Sequence, residues 1–353
     1  MLDTQSILNV LRPVQDPELQ KSLVDLNMIR NVAVDDGNVS FTLVLTTPAC
    51  PLREFIVDDC KKAVQTLPGV ETVNVEVTAE TPQQKSLPHQ QSVAGTKNII
   101  AVSSGKGGVG KSTVAVNIAV ALAQTGAKVG LLDADIYGPN APTMLGLENT
   151  EVQVEKNEAG DILQPAFNYG VKMVSMGFLI DPDQPVIWRG PMLNGIIRQF
   201  LYQVNWGALD YLVVDMPPGT GDAQLTMAQA VPMAGAVIVT TPQTVSLLDA
   251  RRGLKMFEQL GVKVLGLVEN MSYFIPPDAP ERQYDLFGSG GGEKASKELQ
   301  VPLLGCIPLE IALREGGDKG IPIVMSAPES ASAQALTAIA QNIAAKVSVA
   351  ALA

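Results

Sequence analysis

One stretch, Ser104-Gly105-Lys106-Gly107-Gly108-Val109-Gly110-Lys111-Ser112-Thr113, constrains the chain more than any other. It follows a short apolar run at 99–102 and precedes a helical pattern from Thr113 to about Gln124. Strand, glycine-rich turn and helix in that order are what a phosphate-binding loop requires. Gly105, Gly107, Gly108 and Gly110 let the backbone curl, so that N–H groups through Val109 and Thr113 point at phosphate oxygens. The helix adds its N-terminal amides and the positive end of its dipole. Lys111 reaches the β- and γ-phosphates, and the Ser112 hydroxyl suits Mg²⁺. A flexible Gly/Ser turn is the bland alternative, and the flanking strand and helix argue against it. The second lysine, Lys106, puts positive charge where transition-state charge develops, on its own nucleotide or on that of a facing subunit.

Two acidic strand ends suit the same ligand. The run ending in Leu132-Asp133-Ala134-Asp135 offers Asp135 to orient, or take a proton from, the water attacking the γ-phosphate, and Asp133 to organise Mg²⁺ and the loop. Ordinary capping by these two aspartates is the alternative. The run Val213-Val214-Asp215, continued by Met216-Pro217-Pro218-Gly219-Thr220-Gly221-Asp222, has the form of a Walker B element, with Asp215 for Mg²⁺ and the Gly219 N–H near the γ-phosphate. At the end of a later strand Asn270 offers a donor and an acceptor to a base edge, which suits adenine. No guanine-recognition element follows a strand, so ATP is favoured over GTP.

Around this core the chain is expected to be an α/β protein: a mostly parallel P-loop sheet with helices on both faces, preceded by a small α+β domain. The expected boundaries are residues 1–79 for the first domain, 80–96 for a polar linker holding the only histidine, His89, and 97–353 for the ATPase domain. Strands are expected at 99–102, 129–133, 171–175, 211–215, 236–240, 262–269 and 303–307. The charged segment 151–161 is expected to be either a surface hairpin or an insertion. A last helix is expected from about Glu329 to Lys346, opened by a Ser326/Glu329 capping box and frayed at its end. Trp188 and Arg189 form either a partner-facing patch or core packing.

Composition excludes several functions. A net charge of −11 with no basic block argues against nucleic acid as a partner. No basic start leads into an apolar core, and no run approaches a membrane span, so neither a signal peptide nor a membrane partner is expected. Three scattered cysteines suit a reducing, cytoplasmic setting. Of these, Cys60 and Cys306 read as structural. Cys50, before a helix N-terminus whose amides would lower its pKa, reads either as a small buried hydrophobe or as a functional thiol.

The loop with Lys106 resembles the deviant Walker A class of dimerising ATPases. Residues 1–79, through Asp16-Pro17-Glu18, Asp25-Leu26-Asn27 and Thr46-Thr47-Pro48-Ala49-Cys50-Pro51, resemble the MIP18-type (DUF59) module. Nearly the whole chain resembles the Mrp/NBP35/ApbC family, also on Asp133 to Pro139, Trp188-Arg189-Gly190-Pro191, Asp215 to Asp222, Glu269-Asn270-Met271-Ser272-Tyr273 and Phe287-Gly288-Ser289-Gly290-Gly291-Gly292. The resemblance implies a homodimer that hydrolyses ATP and carries iron–sulfur clusters to apoproteins or works with assembly factors. It implies Lys106 acting across the dimer and Asn270 at the adenine. The family's C-x-x-C pair is absent from 275–286, which leaves Cys50 as a candidate cluster ligand, from both subunits or with an external thiol. Two further readings compete: an ATP-dependent dimeric switch or adaptor that binds no cluster, and a small-molecule kinase or reductase, for which no substrate pocket is legible.

Overall fold

Alternating apolar and polar residues build the first part of the chain. Helix α1 (Thr4–Leu11) opens at Asp3, whose carboxylate accepts the Ser6 N–H at 2.8 Å, and buries Ile7 and Leu11. A short antiparallel pair, β1 (Gln15–Asp16) and β2 (Lys21–Ser22), follows. Strands β3 (Ile29–Asp35) and β4 (Asn38–Leu45) pair antiparallel, and helix α2 (Arg53–Gln65) carries the chain to β5 (Thr72–Ala79), parallel to β4. Ile56, Cys60 and Val64, one turn apart on α2, enter a core with Leu23, Phe41 and Leu43.

The computed structural model describes residues 2–84, 90–135, 138–157, 160–179, 190–279 and 281–352. His89, the turn at 181–185, Trp188 and Arg189 lie outside them. The chain divides into two units, residues 1–82 with 344–353, and residues 83–343.

In the second unit, strands apolar at consecutive positions are covered on both faces. Strand β6 (Thr96–Ser104) leads through the glycine loop into α3 (Lys111–Gln124), then β7 (Val129–Asp133) and the short α4 (Ala141–Met144). The hairpin β8 (Val154–Asn157) and β9 (Gly160–Leu163) falls where a surface hairpin or an insertion is expected. There follow β10 (Ala166–Asn168), β11 (Val171–Ser175), α5 (Gly190–Tyr202), β12 (Leu209–Asp215), α6 (Asp222–Ala230), β13 (Met233–Thr240) and α7 (Thr244–Gln259). The chain continues through β14 (Val264–Phe274), α8 (Gly291–Leu299), β15 (Leu303–Leu309), α9 (Ile311–Asp318), α10 (Ile323–Ser326) and α11 (Ala331–Leu352).

These strands form one eight-stranded sheet, ordered β10-β11-β7-β12-β6-β13-β14-β15, parallel except for β10. The sheet and the small α+β domain are the architecture expected from the sequence. Strand β6 sits centrally between β12 and β13, its successor β7 lying beyond β12 while the later strands β13 to β15 extend the other side, which makes its carboxyl end the switch point where ligands of such sheets bind. Helix α3 is buried almost all round, Val114 to Leu122 being sequestered, so it lacks an amphipathic stripe.

The end of the chain departs from expectation. Ser326 closes α10, and α11 is opened instead by Ser330, whose hydroxyl accepts the Ala333 N–H at 3.2 Å, and by Glu310, whose carboxylate accepts the Ser332 N–H at 2.7 Å. Nor is the end frayed: α11 runs to Leu352, and Ser348 Oγ donates to the Thr46 carbonyl at 3.1 Å. By length and composition α11 could also cross a membrane, contrary to the expectation that no segment approaches a span. Leu336, Ile339, Ile343 and Val347 on it are buried, as in the core helix of a folded domain.

Candidate functional site

The glycine loop is shaped by two contacts that no side chain at those positions could survive. Gly110 has φ +81°, and a Cβ there would lie 2.1 Å from Asn270 Nδ2. A Cβ on Gly105 would lie 2.1 Å from the backbone carbon of Asp249. Asn270, buried at the end of β14, donates Nδ2 to the Val109 carbonyl at 2.8 Å. The residue expected at the base therefore also braces the phosphate loop.

Beyond Gly110, which caps α3, the Lys111 ammonium turns back under the loop. It lies 2.5 Å from Asp215 Oδ1, 3.4 Å from Asp135 Oδ2 and 3.4 Å from Ser112 Oγ. All three charged groups are buried. Strands β12 and β7 pair in register, Asp215 opposite Asp133, which brings the two acidic strand ends together.

The carboxylates differ in what they have left to offer. Asp133 is spent on the protein: it accepts the Asp135 N–H at 3.1 Å, the Ser175 hydroxyl at 2.9 Å and the Ala141 N–H at 3.4 Å. Burial, then the neighbouring Asp215 charge, push its pKa up to about 8. Burial raises Asp215 as well, against the pull of Lys111 and Ser112. Asp215 Oδ2 and Asp135 Oδ1 are buried without a hydrogen-bond partner among the described residues. Two orphaned hard oxygens beside a serine hydroxyl fit Mg²⁺, which takes one or two carboxylates, a hydroxyl and substrate phosphates.

Lys106 is half-buried, and its Nζ lies 3.5 Å from Gln243 Oε1 at the start of α7. Next to the loop, a cleft of about 380 Å³ is lined by Gly110, Thr113, Met144, Asn270, Met271 and Leu313 among others. Met271 there has φ +55°, a left-handed conformation uncommon outside glycine. The Gly219 N–H, expected near a γ-phosphate, donates to the Ser104 carbonyl at 2.9 Å.

Sequence reasoning missed Glu269. It is buried, accepts the Ser272 hydroxyl at 2.8 Å and the Gly292 N–H, and so pins the glycine-rich segment to the end of β14. The signals available in the sequence are a charged residue inside an apolar strand and its place in the 269–273 motif, neither of which points to the glycine segment as its partner.

The three thiols are uneven. Cys60 is fully buried, and its pKa is pushed up to about 12, first by burial. Cys50 is half-buried, and burial raises its pKa, with Glu18 and Asp16 adding to the shift and the Leu52 N–H opposing it. This corrects the expectation that the helix N-terminus lowers it: desolvation outweighs one amide. Cys306 is raised by burial and by Glu269. Among the described residues, no group of three or more His, Cys, Asp or Glu side chains could hold a metal.

A curled glycine loop at the central strand, its lysine answered by acids from two neighbouring strands, is how P-loop NTPases grip a nucleotide's phosphates, and the chain is of that class. The NUBPL iron-transfer P-loop NTPase family matches residues 95–344, and an iron–sulfur cluster assembly protein family matches residues 4–77. The chain belongs to this iron-transfer family of P-loop NTPases. It is 83% identical over 352 residues to the iron-sulfur cluster carrier protein of Synechocystis sp., covering 100% of both chains. It is 43% identical over 341 residues to the protein of the same name from Escherichia coli K12, covering 97% of this chain and 91% of that one. Among solved structures, a nucleotide-binding protein from Archaeoglobus fulgidus in complex with ADP is similar with a TM-score of 0.57 and 40% identity, over 65% of this chain and 88% of that one.

Proposed function

We propose that this chain is an ATP-hydrolysing iron–sulfur cluster carrier that delivers clusters to apoproteins, working as a cytoplasmic homodimer. The observation that carries the ATPase part is the meeting of Lys111, Asp135 and Asp215 at the carboxyl end of the sheet, next to a cleft lined in part by Gly110 and Thr113. The kinship with named cluster carriers supports the cargo.

In this reading the amides of Gly105, Gly107, Gly108, Val109, Gly110, Ser112 and Thr113 cradle the phosphates. Lys111 exchanges its carboxylate partners for β- and γ-phosphate oxygens. Asp135, half freed by that exchange, orients the attacking water and takes its proton. Ser112 and Asp215 would hold Mg²⁺, with Asp133 positioning the site through its bonds to Asp135 and Ala141. Mg²⁺ supplies charge neutralisation across the β- and γ-phosphates. Asn270 contacts adenine with the amide capacity that Val109 leaves over. Lys106, free of carboxylate partners among the described residues, reaches the partner's nucleotide across the dimer.

The cluster is cargo, and Cys50 is the thiol proposed to touch it, since Cys60 is sequestered in the core. Labile ligation by Cys50 of two subunits, or by Cys50 with an external thiol, accommodates the missing C-x-x-C pair. A second reading, an ATP-driven adaptor that holds no cluster, is favoured by the absence of a three-ligand group among the described residues. Anaerobic reconstitution with iron and sulfide, followed by cluster counts per dimer and transfer to an apo-acceptor with and without Mg-ATP, separates the two. Transferable cluster, reduced in a Cys50→Ala protein, supports the carrier. A dimer that binds ATP and takes up no cluster supports the adaptor.

A further inference from the structure

The loop after β12 is stitched to the end of β6. Met216 N–H donates to the Val102 carbonyl at 3.0 Å and Gly219 N–H to the Ser104 carbonyl at 2.9 Å. The third link is a side chain: Gln224, one turn into α6, donates Nε2 to Ser103 Oγ at 3.2 Å and to the Pro217 carbonyl. Gln224 is fully buried, and its Oε1 has no partner among the described residues. A buried amide with an idle carbonyl is unfavourable where an apolar side chain would fit. What the glutamine gains there is its donor end, which grips the loop and the strand at once.

The loop's own chemistry makes that grip matter. Pro217 and Pro218 have no N–H, so Gly219 is the first residue after Met216 able to donate. If the Gly219 N–H turns from the Ser104 carbonyl to a phosphate oxygen, the loop loses that backbone tie to β6. Gln224 then becomes the tether between the prolines and the strand that carries the phosphate loop. We infer that Gln224 is a positioning residue for ATP hydrolysis, holding the 217–219 loop in register with the phosphate loop while the Gly219 N–H changes partners. Ser103 is its anchor. The inference rests on the phosphate-site roles proposed above.

The test is steady-state and single-turnover ATP hydrolysis by the full-length protein. Gln224→Met keeps the volume and removes the donor; it should lower kcat about tenfold and leave KM within about twofold, the scale of one lost hydrogen bond felt in the transition state. Ser103→Ala should lower kcat in the same direction by about threefold, with KM again within about twofold. The double variant should be no slower than Gln224→Met alone, because both changes break one link. Unchanged kcat in Gln224→Met, a loss confined to KM, or a double variant slowed by the product of the single effects overturns the inference. Should Gln224→Met fail to fold, Ser103→Ala decides alone, and an unchanged kcat there overturns it. A Lys111→Ala control separates the two levels. If hydrolysis survives that change, the phosphate-site assignment has failed; if it is lost while Gln224→Met turns over normally, only the tether has failed.

Discussion

Lys111 Nζ sits 2.5 Å from Asp215 Oδ1, so the lysine proposed for phosphate and the carboxylate proposed for Mg²⁺ neutralise each other in this structure. Each is buried, and each would otherwise be a lone charge away from water. In the proposed mechanism, nucleotide replaces this one set of ionic partners with another.

Replacing Lys111 by Met should therefore have two effects. It strips Asp215 and Asp135 of their cation, and breaking a buried pair of this kind costs about 3 kcal/mol of stability. It also removes the phosphate contact. Denaturant unfolding of the nucleotide-free protein should show the first loss, and calorimetric ATP titration the second. An unfolding midpoint equal to the parent's would contradict the pairing.

Asp135 should separate binding from turnover. Its Oδ1 has no partner among the described residues, and its contact with Lys111 is the looser of the two. Asp135→Asn keeps the shape and removes the base, so single-turnover hydrolysis should fall roughly a hundredfold while ATP affinity changes only a few-fold. Equal losses in both would mean that Asp135 serves the bound state, not the chemistry.

Asn270 braces the phosphate loop in addition to its proposed base contact, so Asn270→Ala should do more than loss of a base contact alone would. Loss of the bond to the Val109 carbonyl loosens the loop, and ATP affinity should drop about tenfold. Preference for ATP over GTP should shrink in the same protein. Affinity lost equally for inorganic pyrophosphate and ATP would assign the whole effect to the loop.

The strands around this site were legible because residues buried on both faces leave long apolar runs; 129–133 and 171–175 were read to their ends. Helices α8 and α9 were not. Glycines weaken helix propensity, yet α8 begins with Gly291 and Gly292 and α9 contains Gly316 and Gly317. Tertiary crowding overrides propensity: a Cβ on Gly291 would meet the Pro242 carbonyl oxygen at 2.5 Å, and one on Gly316 the Ile321 oxygen at 2.6 Å. Lys111 can be named from the glycine loop, and Asp133, Asp135 and Asp215 from strand ends. Gln224 and Glu269 cannot, since their value lies in which distant backbone group each one reaches.

The thiols offer a pH test. Since burial and the Glu18 and Asp16 carboxylates disfavour the Cys50 thiolate, its alkylation by iodoacetamide should be slow at neutral pH. The rate should climb roughly tenfold per pH unit until the pH passes the thiol's pKa. Glu18→Gln removes one of the opposing charges, lowers that pKa and should speed the reaction at pH 8. Cys60 should stay unmodified until the protein is unfolded. A Cys50 that reacts fastest at neutral pH and levels off there would contradict the burial.

The grouping of residues 344–353 with residues 1–82 sets an order of assembly. The nucleotide-binding unit is spliced into the sequence of the other, and the Ser348 hydroxyl that bonds to the Thr46 carbonyl is made only after all of residues 83–343. During vectorial synthesis the first-made unit must wait, incomplete, for the last turns of α11, while the ATP-binding unit already has its whole sequence. Its completion thus waits on residues 344–352, and the nucleotide-binding unit can close on itself before the first-made unit does.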